Sequence, residues 1–172
     1  LSDLDKGGLT PSIEKVKDAK AMTNIPIRVM LREIPNTYVY SEEIMNKHVN
    51  DLLAFKTIGV EGIAFGALTE EGRLDIPAME LIGEHKGDLG FTLNKAFDEI
   101  AIDKDDNERS DSYKKDIEAL FSSKKANVDT IMSACSDKHA NDVSHFEGAS
   151  IMPAAGITIE TAVEKSKEFK AL

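Results

Sequence analysis

Five short apolar runs recur along the chain with helix-length stretches between them, beginning near residues 25, 62, 89, 128 and 150. The first is Ile27-Arg28-Val29-Met30-Leu31, led in by Pro26. Gly62–Thr69, Leu89–Leu93, Val128–Met132 and Ala149–Pro153 follow. Bulky, β-branched runs of this length, bounded by Pro, Gly and polar clusters, read as buried strands. The intervening stretches have helical periodicity. Ile13, Val16 and Ala19 repeat at helix spacing after Thr10-Pro11-Ser12, a helix-start signal, up to about Ala21. Ser41-Glu42-Glu43 reads as an N-cap with an acidic first turn. Ile44, Met45, His48, Val49, Leu52, Leu53 and Phe55 then form one face up to a stop at Gly59. Leu74-Asp75-Ile76-Pro77 opens another helix through Met79, Leu81 and Ile82, and Thr158 caps a last one over 159–169. Strand and helix in alternation predict βαβ units and a parallel sheet. The spacing suits a barrel unit of roughly 30 residues. Five strands do not close an eight-stranded barrel, so the expectation is an open sheet or part of a barrel.

Composition excludes several classes. With 30% charged and 41% apolar residues over 172 positions, the chain is that of an ordinary soluble domain, read as one domain over residues 1–172. A net charge of −10 without a basic cluster argues against nucleic acid and against anionic lipid. No apolar run approaches membrane-spanning length. The single cysteine permits no intramolecular disulfide, so a reducing, cytoplasmic setting is expected. The polar stretch Asp103–Lys115 reads as a solvated loop and helix face, with Ile117, Leu120 and Phe121 marking a short helix behind it. Its carboxylates lack calcium-loop spacing. There is no phosphate-binding glycine motif and no serine nucleophile elbow.

Arg32 closes the first run, at the strand end where α/β folds place ligands. A guanidinium there clamps a phosphate or carboxylate, unless Asp98 or Glu33 holds it in a structural ion pair. Asp98 follows the third run and serves as a base, a metal ligand or a helix cap. Asn94, at the end of that run, is placed to orient a substrate. The turn Pro153–Thr158 precedes a helix N-terminus, so Gly156 and Thr158 are candidate anion contacts.

Five stretches in order resemble the CutC family, described as copper homeostasis proteins. GGLTPS (Gly7–Ser12) is similar to the family's glycine loop. The first strand with its loop resembles V-M-I-R-P-R-G-G-x-F-x-Y-S, with Val29, Met30, Arg32, Val39, Tyr40 and Ser41 in place. Phe65–Asp75 resembles the family's fourth-strand segment, Phe91–Ile100 its T-F-H-R-A-F-D, and Ile151–Thr158 its I-M-P-G-G-G-I-T. The resemblance implies an α/β TIM barrel with its site at the C-terminal strand ends, and places the family's first two strands and its last outside this chain. It also exposes departures. Ile34 stands for the family's second arginine, Asn94 for its histidine and Lys95 for the neighbouring arginine; Ala154 and Ala155 replace two glycines. Asparagine shuttles no proton, and lysine gives a point charge where arginine gives a fork. A catalytic set carried over from the family would be Arg32, Lys95, Asp98 and Asn94, in a lyase- or isomerase-like enzyme of small anions. The alternatives are copper binding and a divergent, non-catalytic paralogue. Copper(I) prefers soft sulfur. Cys135, Met132 and Met152 are the candidate ligands, His139 and His145 are loosely spaced neighbours, and Met22, Met30, Met45 and Met79 read as core filler. Open strand edges in such a partial barrel favour a homodimer.

Overall fold

The computed structural model describes residues 1–102, 104–134, 150–154 and 158. Helix α1 spans Ile13–Met22, strand β1 Arg28–Met30, α2 Glu42–Ile58, β2 Gly62–Phe65, α3 Ile76–Lys86, β3 Gly90–Leu93, α4 Asp106–Ser122, β4 Thr130–Ser133 and β5 Ser150–Pro153. Short 3₁₀ turns occupy Leu4–Lys6 and Lys95–Glu99. The five strands are parallel and lie in chain order, β1 to β5, the connectivity of a TIM-barrel wall.

Strand alternation divides the sheet into two faces. Val29, Ile63 and Phe91 are register partners in one row, and Leu93, Ile131 and Ile151 in the next. With Leu52 and Phe55 of α2, Met79 and Ile82 of α3, and Ile117 and Leu120 of α4, they form the main core. The opposite face carries Arg28, Met30, Ala64, Thr92, Asn94 and Met132. At its N-terminal end the Arg28 guanidinium donates to Thr92 Oγ1 at 2.7 Å and Asp129 Oδ1 at 2.6 Å, tying β1 to β3 and to the residue before β4. That leaves the C-terminal end of the face for a ligand.

The helix boundaries follow from local chemistry. Ser41, Asp75 and Asp105 cap α2, α3 and α4, each accepting from a first-turn N–H, a contribution of about 1 kcal/mol apiece. Gly59 ends α2 at φ 83°, a left-handed conformation that a side chain would resist. Two expectations are corrected. The helix behind the polar stretch is not short: α4 runs for 17 residues, because Asp105 caps it early and Tyr113, Ile117 and Leu120 give it a buried stripe. Met22 is not core filler; at the end of α1 it is 86% exposed, whereas Met30, Met45 and Met79 are buried. The last predicted helix, 159–169, lies outside the described residues. Among those described, no helix is long and apolar enough to cross a membrane.

Candidate functional site

Part of the rim at the C-terminal end of β1 comes from the segment that precedes α1. The Leu9–Thr10 segment crosses beside the end of β1, where Thr10 N donates to Arg32 O at 2.9 Å and Arg32 N to Thr10 Oγ1 at 2.8 Å. This clamp fixes the Arg32 backbone. The preceding Gly7 is left-handed at φ 82°, and a Cβ there would lie 3.1 Å from Arg32 Nη1. Glycine at this turn is therefore what lets the guanidinium lie along the loop.

The Arg32 side chain is 7% exposed. Its guanidinium carbon stands 4.4 Å from the centroid of the Tyr38 ring, a cation–π stack, and Nη1 donates to Gly7 O at 3.4 Å. The ion pair with Asp98 or Glu33 is absent; neither carboxylate is bound to Arg32. Glu33 instead pairs with Lys47 at 3.0 Å. Arg32 Nε is buried without a hydrogen-bond partner. Burial also pushes the Tyr38 phenol above its ordinary pKa, with Arg32 opposing the shift, so the ring stays neutral beneath the cation.

A cleft of about 480 Å³ opens beside Arg32, lined also by Thr37, Thr69, Glu70, Lys95 and Glu99. Lys95 is exposed and makes no ion pair among the described residues. A guanidinium that no carboxylate pairs and an exposed ammonium on one cleft can hold an anion by charge-assisted hydrogen bonds.

The other predicted site residues fall in different places. Asp98 is not the cap of the turn after β3: its carboxylate accepts from Ser133 Oγ at 2.6 Å and Ala134 N at 2.8 Å, binding that turn to the end of β4. Asn94 is the cap. It is 1% exposed, its Oδ1 accepts from Ala96 N at 2.9 Å, and its Nδ2 points at Met30 Sδ at 3.6 Å, so both ends of the amide are engaged. Met132 and Met152 are register partners on β4 and β5, with Met152 39% exposed. Thr158 is exposed. Cys135, His139, His145 and Gly156 lie outside the described residues. Among those described, no group of three or more His, Cys, Asp or Glu side chains is placed to hold a metal ion.

Sequence reasoning missed one cluster. Glu33 Oε1, Tyr40 OH and both ring nitrogens of His48 are buried without hydrogen-bond partners. The His48 ring packs edge-on against Tyr40 at 4.8 Å and Phe65 at 5.4 Å. His48 counted only as one of the apolar positions of α2, and periodicity carries no sign of unmet hydrogen bonds.

The model of the CutC family matches residues 1–165. The chain belongs to the CutC family. A CutC family protein of Aliivibrio fischeri (strain MJ11) is 29% identical over 174 residues, covering 95% of this chain and 65% of the relative. One of Glaesserella parasuis serovar 5 (strain SH0165) is 32% identical over 97 residues, 56% of this chain and 40% of its own length. The chain thus aligns with between two-fifths and two-thirds of the length of these curated relatives. Among solved structures, the putative copper homeostasis protein CutC from Streptococcus agalactiae superposes with a TM-score of 0.82 at 22% identity, over 99% of this chain and 82% of that one. At that identity the likeness carries the fold.

Proposed function

We propose that this CutC family chain binds a small anionic ligand, a phosphate or carboxylate, in the cleft between Arg32 and Lys95. The observation that carries this is the Arg32 guanidinium in the cleft wall, stacked on Tyr38 and paired with no carboxylate among the described residues. A bound oxyanion pairs that charge through charge-assisted hydrogen bonds. Tyr38 and the Gly7 carbonyl hold the guanidinium ready, and Lys95 adds the second cation. Binding rather than turnover is the supported part. Asp98, the candidate base, and Asn94, the candidate for orienting a substrate, are engaged in holding the turn after β3. The test is a thermal melt with and without inorganic phosphate. Phosphate raises the melting temperature of the wild type and not of Arg32→Ala; an equal shift in both, or none in the wild type, rejects the reading.

A second reading is Cu(I) binding, with copper as cargo. Its support is the adjacency of Met132 and Met152 on neighbouring strands, since thioethers are soft donors that suit Cu(I), and Cys135 follows β4 by two positions. A Cu(I) competition titration against a chromogenic chelator decides it, run on wild type, Cys135→Ser and a Met132→Leu/Met152→Leu double variant. Stoichiometric binding lost in a variant supports the thioether or thiolate site. Equal competition in all three rejects these ligands.

We read the setting as cytoplasmic, from the single cysteine, and the assembly as a homodimer. β1 has a strand beside it on one side only among those described, and such edges invite pairing. Sedimentation of a monomer at micromolar concentration rejects the dimer.

A further inference from the structure

Arg32, Gly7, Tyr38 and Lys95 line a second cavity as well as the cleft, so the two spaces share a wall. This inner chamber holds about 210 Å³ and differs in character from the cleft. Its remaining lining is Leu1, Leu4, Met30, Asn94, Met132 and Ala154. In this part of the lining the Asn94 amide is engaged with Ala96 N and Met30 Sδ, and Ala154 N–H donates to Ser133 O at 2.8 Å. Away from the wall it shares with the cleft, the chamber therefore presents mainly thioether and leucine side chains. Water there finds few partners and is displaced at little cost, whereas an apolar group gains contact.

We infer that the ligand is amphiphilic: an anionic head held by Arg32 and Lys95, and a short apolar tail seated on Met30 and Met132 in the inner chamber. This rests on the anion reading and narrows it from any small oxyanion to an alkyl or small-ring phosphate or carboxylate. A chamber of 210 Å³ has room for about seven water-sized groups at roughly 30 Å³ each, which fits a short alkyl chain and not a second charged or hydroxylated ring. Beyond the shared wall, a sugar phosphate would place hydroxyls against Met30, Met132 and leucine side chains that offer them no strong partner.

The experiment is a calorimetric titration of the wild-type chain with inorganic phosphate, butylphosphonate and hexylphosphonate under one set of conditions. Affinity rises along the series, about fourfold for each methylene buried. Met132→Asn brings hexylphosphonate down towards butylphosphonate, and Met132→Leu, which keeps the apolar surface, retains the slope. Phosphate binding with no gain from the alkyl chain overturns this inference and leaves the anion reading standing. No binding of any of the three overturns both. A wild-type slope that Arg32→Ala leaves intact also overturns it, since the tail would then be binding without the head. If Met132→Asn does not fold, the wild-type series and Arg32→Ala decide.

Discussion

Ser133 donates its hydroxyl to Asp98 Oδ1 at 2.6 Å, and the next N–H along the chain, that of Ala134, donates to Oδ2 at 2.8 Å. Both carboxylate oxygens thus serve to join the turn after β3 to the end of β4. Arg109 reinforces the same turn by donating to Asp98 O at 2.8 Å. Asp98→Ala leaves two donors without their acceptor and costs about 3 kcal/mol of stability, while Asp98→Asn keeps an acceptor and costs about half of that. Urea unfolding measures both. An Asp98→Asn chain of full stability that no longer binds phosphate would place the carboxylate in the ligand site instead.

The Arg32–Tyr38 stack predicts that charge alone does not suffice at this position. Arg32→Lys keeps a cation but loses the fork and the planar stack, so phosphate affinity falls about tenfold. Arg32→Ala falls further. Titration at low and at high salt separates the two contributions, because screening weakens the exposed Lys95 contact more than the buried Arg32 one. Wild-type affinity in Arg32→Lys would mean that the ligand reads only a point charge.

Gly7 carries the next expectation. Its φ of 82° is a region that a side chain resists at a cost of about 1–2 kcal/mol, and the added Cβ would press on Arg32 Nη1 at 3.1 Å. Gly7→Ala is therefore expected to lower phosphate affinity beyond what its loss of stability explains, through displacement of the guanidinium. The comparison is the affinity of the folded variant at a temperature where it is fully native. A variant with normal affinity would show that the guanidinium has another place to lie.

Much of this architecture was legible from local chemistry. The Ser41 and Asp75 caps, the Gly59 stop and the five strand positions each rest on residues within a few places of one another. Arg32 at a strand end was legible for the same reason. What local chemistry could not separate was the pair Asn94 and Asp98. Both are short polar side chains within five residues of the end of β3, and either can cap. Contacts with Ser133 and Ala134, more than 30 residues away, settle it. Tyr113 was hidden in a polar stretch, although it stands four and seven residues before Ile117 and Leu120 at helix spacing. The unmet hydrogen bonds around Glu33, Tyr40 and His48 have no sequence signature, since a histidine on an apolar helix face reads the same with or without a partner.

His48 gives a dependence on pH whose sign follows from burial. The ring is fully buried, and burial lowers its pKa from the ordinary 6.5 to about 4, against a smaller opposing pull from Glu33; Lys47 lowers it further. Tyr40 and Phe65 pack against it and carry no charge at these pH values. Above pH 6.5 neither the folded nor the unfolded chain protonates this ring, and the fold keeps its full stability. Between 6.5 and 4 the unfolded chain binds a proton that the folded one refuses, so stability falls as pH falls, by about 3 kcal/mol over the interval. Below 4 both states are protonated and this loss stops. Carboxylates titrate in the lower part of the same window, so the measurement is a difference: urea stability of wild type minus that of His48→Phe, from pH 7 to 4. Phenylalanine fits the same aromatic stack and has no proton to bind. The difference should shift in favour of the variant by about 3 kcal/mol as the pH is lowered, and parallel curves would show that the ring has found a hydrogen-bonded, protonatable place in solution.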